Sequence, residues 1–134
     1  MIEQEHQVSE FKSKGGWQRI RGAYVNSLAG LGQAWRHEHA FRQELFLAVP
    51  ASVLALLLPV SALEKLLLIG VLVMVLVVEL LNSAIEAVVD RISLERHSLS
   101  KDAKDFGSAA VMLSLLLALA IWTVIVWPLL ARLF

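Results

Sequence analysis

The 134-residue chain contains no cysteine. That absence excludes disulfides, Cys-based zinc sites and thiol catalysis. It has no net charge either, since twelve Lys and Arg cancel twelve Asp and Glu. No bulk electrostatic attraction therefore argues for a nucleic-acid partner. There is no GxxxxGK[ST] loop, so any nucleotide must bind without a Walker motif. Charge of either sign is scarce, at 18% of residues against 57% apolar. One domain at most fits this length. A soluble domain so small has too little interior to hide that much apolar surface, and a disordered chain would not carry it. What remains is an integral membrane protein, all-helical, because spanning helices satisfy their own backbone polar groups.

Three apolar runs, 45–63, 66–78 and 106–131, approach the roughly 20 residues that a helix needs to cross a bilayer. Pro50 is expected to kink the first and Pro59 to end it. The second continues through a polar stretch, so the spans are expected at about 43–60, 63–90 and 104–131. A long polar segment precedes the first run and no small-residue cleavage pattern follows it, unlike a signal peptide. Lys12, Lys14, Arg19, Arg21, Arg36 and Arg42 lie before the first span. Arg91, Arg96, Lys101 and Lys104 lie between the second and third, while only Lys65 and Arg132 fall on the other side. The positive-inside rule then puts the N-terminus and the second connection in the cytoplasm. Residues 1–14 are polar and expected to be flexible, leaving 15–134 as the single membrane domain. Trp17, Ile20, Tyr24, Leu28, Leu31 and Trp35 fall within about 80° of one another on a helix. This predicts an amphipathic helix in the membrane interface, either a plain anchor or also one wall of a site.

The second span is unusual. Glu79, Asn82, Glu86 and Asp90 lie within about 80° of one another at 100° per residue, with Ser83 beside them. Burying a carboxylate at mid-bilayer costs about 2.5–3.5 kcal/mol even on the lenient insertion scale. Folding alone does not call for that cost. Glu79 lies about 10 Å deeper than Glu86, within reach of a hydroxyl held below the headgroups and placed to act as a general base. Glu86 and Asp90, nearer the rim, suit Mg²⁺, which takes one or two carboxylates and leaves its other positions to water and phosphates. The bland alternative is a polar stripe that glues helices together. Three more clusters face the same side: the run from His37 to Glu44, Glu95-Arg96-His97, and Lys104-Asp105 with Ser108. A lysine at the rim suits polyphosphate as a mobile point charge, or serves only as a topology anchor. His37 and His39 cannot share a helix face, which argues against a His metal pair.

Over 78–91, VELLNSAIEAVVDR, the sequence resembles the prokaryotic integral-membrane diacylglycerol kinases. The likeness runs from about residue 16 to 127 and includes Glu38-x-x-Phe41-Arg42-Gln43-Glu44 and the Lys104-Asp105 pair. It implies a homotrimer of three-span chains with active sites shared between protomers, in the bacterial inner membrane. The implied reaction moves the γ-phosphate of MgATP to the free hydroxyl of diacylglycerol, giving phosphatidic acid. Carried over by position, Glu79 would be the general base, and Glu38 and Glu86 would hold Mg²⁺. Arg19, Glu38, Glu86, Glu95, Arg96, His97, Lys104 and Asp105 would meet ATP. Relatives carry an aromatic residue where this chain has Asn26, so a hydrogen bond would replace stacking there. The lipid would contact Arg19, Ala23, Ser27, Leu28, Trp35, Ala40, Phe41, Arg42, Gln43, Glu44, Glu79, Ser108 and Trp122, while Asn82 and Asp90 would support the carboxylates.

Asp105-Phe106-Gly107 spells the DFG of protein kinases, but the chain has no HRD pattern, no Gly-rich strand loop and no room for that domain. Gram-positive relatives phosphorylate undecaprenol, which makes that lipid the nearest alternative acceptor. A proton-coupled transporter with Glu79 as relay would show no ATP turnover, and a purely structural assembly module would lose only stability when Glu79 is replaced.

Overall fold

The computed structural model describes residues 15–132. The expectation for 1–14 lies outside them. Four helices follow one another: α1 (Gly16–His37), α2 (His39–Leu57), α3 (Ala62–Ile92) and α4 (Ser98–Leu130). The last three are long and apolar enough to cross a membrane. At 1.5 Å per residue, α3 and α4 reach about 45–50 Å, well beyond a hydrocarbon core of about 30 Å. The helices also differ from the apolar runs that foretold them. α4 starts at Ser98, before the run begins, because the His97 Nδ1 accepts the Leu99 N–H at 3.2 Å and caps it. α2 stays helical through Pro50 and stops at Leu57. Leu58 is extended (φ −64°, ψ 143°), as expected for the residue before Pro59, where ring sterics disfavour the helical region.

The connections are short and well bonded. A single extended residue, Glu38 (φ −100°, ψ 110°), separates α1 from α2. Arg42 holds this corner: its guanidinium donates to the carbonyls of Trp35 (2.8 Å) and Arg36 (3.1 Å) at the end of α1. Those carbonyls have no partner within their helix, so a cation there satisfies them and suits the helix dipole. At the opposite end, Ser61 and Glu64 form a reciprocal capping box at the start of α3. Lys65 Nζ donates to the Leu56 carbonyl at 2.7 Å, tying α2 to α3.

α3 packs against both α2 and α4. Val71, Val75 and Ala118 form the core, with Ile121 and Trp122 laid over it. The Trp122 indole N–H crosses to the Leu68 carbonyl at 3.2 Å. Most other large apolar side chains point outward, among them Phe46, Leu66, Leu81, Leu113 and Val124. One chain therefore presents its apolar surface to its surroundings and keeps only a thin interior, a layout suited to lipid.

Candidate active site

The site begins with the residue least suited to its position. Glu79 is only 4% exposed, in the middle of α3, on the same helix face as the core residues Val71 and Val75. The charges that act on it come first from Glu86, two turns along the same stripe, and then from Glu38 at the α1–α2 corner. Glu44, a turn and a half into α2, feels Glu79 in turn. α2, α3 and the α1–α2 corner thus bring Glu44, Glu86 and Glu38 into electrostatic reach of Glu79. The one-residue corner is what delivers Glu38. Although it stands at the N-cap of α2, its side chain makes no capping bond and stays free for other work. Glu44 is half-buried, and its Oε2 has no hydrogen-bond partner.

Asn82 links this group to the helix pair. Its Nδ2 donates to Glu86 Oε1 at 3.3 Å, while its buried Oδ1 accepts nothing. Further along, Asp90 on α3 and Lys104 on α4 form an ion pair at 2.6 Å. Both are substantially exposed, so the pair adds little stability by itself; its effect is to set the lysine beside the acidic stripe. Lys101 pairs with Asp105 one turn along α4.

Beside this end of α3 and α4 lies a cavity of about 790 Å³, lined by Asp90, Glu95, Arg96, His97, Lys104 and Asp105 among others. Five residues expected to meet a nucleotide therefore share one hollow, and Asp90 shares it with them. Ser93, Ser98 and Ser100, which the sequence did not single out, line it too, as does Lys101, which counted there only toward topology; their place between Arg96 and Lys104 or beside it was the available signal. His97 spends Nδ1 on the helix cap, so its Nε2 faces any ligand as the donor. Arg19 and Asn26 are exposed on α1 and do not line this cavity. Glu38 lines a second one, of about 670 Å³, between α1 and α3 with Ser27, His37 and Ser83.

The expected lipid contacts divide. Trp35 and Phe41 line an apolar cavity of about 510 Å³ with Leu31, Leu45, Val77 and Leu80. Ala23, Ser27 and Leu28 are exposed on α1, where the Ser27 hydroxyl donates to the Ala23 carbonyl at 2.8 Å. Ala40 and Gln43 are exposed at the start of α2, and Arg42 is engaged with the end of α1. Ser108 is exposed on α4. Trp122 sits against Leu68, about 16 Å along α3 from Glu79.

The chain matches the model of the prokaryotic diacylglycerol kinase family over residues 25–126. The diacylglycerol kinase of Pseudomonas aeruginosa is 52% identical over 117 residues, covering 87% of this chain and 95% of that one. That of Escherichia coli K12 is 48% identical over 112 residues, covering 84% and 92%. The chain belongs to the prokaryotic diacylglycerol kinase family. A more distant member, the diacylglycerol kinase of Helicobacter pylori J99, is 41% identical over 118 residues, covering 86% of this chain and 92% of its own length.

A divalent metal fits part of this arrangement. Among the described residues no three His, Asp or Glu side chains converge closely enough to cage an ion. Mg²⁺ does not need such a cage when phosphates supply oxygens. Glu38, free of capping duty, and half-buried Glu86 both act on Glu79 and provide two carboxylates of the right kind.

Proposed function

We propose that this chain is an ATP-dependent lipid kinase that phosphorylates the free hydroxyl of diacylglycerol to give phosphatidic acid. The observation that carries the reading is the buried Glu79 in a spanning helix, with Glu86 and Asn82 on its stripe and, at its end, a cavity where Arg96, Lys101 and Lys104 stand among Asp90, Glu95 and Asp105. Glu79 takes the proton from the lipid hydroxyl. The freed oxygen attacks the γ-phosphorus in line, and the bond to the bridging oxygen of the leaving ADP breaks. Phosphoryl transfer of this kind asks mainly for positioning and charge neutralisation. Glu38 and Glu86 would hold Mg²⁺, which when bound offsets charge on the phosphates. Lys104 and Arg96 bring positive charge to the polyphosphate, and His97 Nε2–H adds a donor. Glu95, Asp105, Arg19 and Asn26 complete the nucleotide contacts.

The diacylglycerol lies in the apolar cavity of Trp35 and Phe41, flanked by Ala23, Ser27, Leu28 and the start of α2. Its hydroxyl points toward Glu79 and Glu44, and Ser108 and Trp122 border its path. The exposed row of Trp17, Ile20, Tyr24 and Leu28 supports α1 lying in the membrane interface. The Lys and Arg distribution supports a cytoplasmic N-terminus in the inner membrane. Three copies complete one another's sites, since one chain has too few helices to enclose a nucleotide and a lipid. Residues 15–134 act as one domain.

Glu79→Gln keeps shape and removes the base. It lowers turnover by roughly 10²–10⁴-fold while the purified oligomer keeps its size and helix content. Activity near wild type in a folded variant would sink the assignment.

A further inference from the structure

Glu86 is no better placed than the group that holds it, and that group depends on an absence. The carboxylate only accepts hydrogen bonds, so the NH₂ end of Asn82 must face it, as the 3.3 Å contact from Nδ2 requires. The carbonyl end is thereby turned the other way, toward α4. There it meets Gly107, which is buried in the helix contact. A Cβ on Gly107 would stand 2.1 Å from Asn82 Oδ1 and 3.2 Å from its Cγ, but a comfortable 3.8 Å from its Cα. The amide occupies the space of a missing methyl. Its Oδ1, otherwise without a partner, rests against the glycine Cα, where a weak C–H···O contact is available. The α3–α4 contact continues on both sides of this point, to the Asp90–Lys104 pair in one direction and to the packed core with the Trp122–Leu68 hydrogen bond in the other.

We infer that Gly107 is a positioning residue for Glu86, acting through the Asn82 amide. The inference rests on the reading of Glu86 as a metal-holding carboxylate. Adding a methyl at Gly107 pushes the amide out of its seat, takes Nδ2 off Glu86 and frees that carboxylate to turn. Backbone conformation is not the reason for glycine here, since its φ is not positive; the reason is room.

The test is binding of Mn²⁺, as a stand-in for Mg²⁺, to the full chain with a non-hydrolysable ATP analogue, read as the loss of the free-Mn²⁺ electron paramagnetic resonance signal beyond that caused by the nucleotide alone. Gly107→Ala weakens binding by roughly tenfold, the usual scale for an outer-shell partner, and Asn82→Ala weakens it to a similar degree. Because Asn82→Ala removes both atoms that the methyl would strike, adding Gly107→Ala to it costs nothing further, and the double variant folds even if Gly107→Ala alone does not. Unchanged binding in a folded Gly107→Ala, or losses that add in the double variant, would overturn the inference. A wild-type protein that binds nucleotide but no Mn²⁺ would overturn the metal reading beneath it, which is a different failure.

Discussion

The two ends of the α3–α4 pair are built on opposite terms. Around Leu68, Val71, Val75 and Ala118 the contact is apolar, and its one crossing polar group, the Trp122 indole, has found a carbonyl. The adjoining turn is closed by a complete capping box. Toward Asn82 and Glu86 the same helices hold buried or half-buried carboxylates, an amide oxygen without a partner and an exposed ion pair, and α2 adds a Glu44 oxygen that also lacks one. One end satisfies its polar groups; the other keeps them in reserve. A helix pair can bear that imbalance because the apolar end fixes the geometry that the polar end exploits. In the proposed site, local rules are broken where the chemistry would occur, and stability is supplied elsewhere.

The comparison breaks most visibly if the polar end is loaded with structural duty. After Glu79, the largest effect is expected at Glu86. Glu86→Gln should cut activity by about 10–100-fold and raise the Mg²⁺ needed for half-maximal rate, with little change in unfolding by denaturing detergent. A large loss of stability with normal metal dependence would make the stripe a helix glue instead.

At the other end the signs reverse. Trp122→Phe keeps an aromatic ring but removes the donor to Leu68 and part of the indole packed over the core, so stability should fall by at least about 1 kcal/mol while the rate at saturating lipid is maintained. A rise in the lipid KM without any loss of stability would instead make Trp122 chiefly a substrate contact. The smallest effect belongs to the capping box: Ser61→Ala should cost about 1 kcal/mol or less and leave metal and nucleotide dependence untouched. Any change in catalysis there would show that the two ends are more tightly coupled than their contacts suggest.

Much of this was legible in the sequence, for physical reasons. Long uncharged runs have few outcomes besides spanning helices, and the period of 3.6 residues is enough to place Glu79, Asn82, Glu86 and Asp90 on one stripe. The Ser61-x-x-Glu64 box was also there to be read. Pairings between helices were not. Nothing in a one-dimensional pattern says that Asp90 meets Lys104, that Gly107 makes room for Asn82, or that Trp122 reaches a carbonyl 54 residues away. The Arg42 clasp depends on a corner only one residue long, and helix ends are set by caps such as His97 rather than by where apolarity begins. The family likeness pointed to many of the same residues without saying what holds them.

Following phosphate from labelled MgATP in mixed micelles, with diacylglycerol and undecaprenol offered separately to the purified protein, tests the lipid kinase and its acceptor together. Phosphatidic acid is the expected principal product, with little label on undecaprenol. Label chiefly on undecaprenol would contradict the acceptor assigned here, and a folded protein that labels neither lipid would contradict the kinase itself.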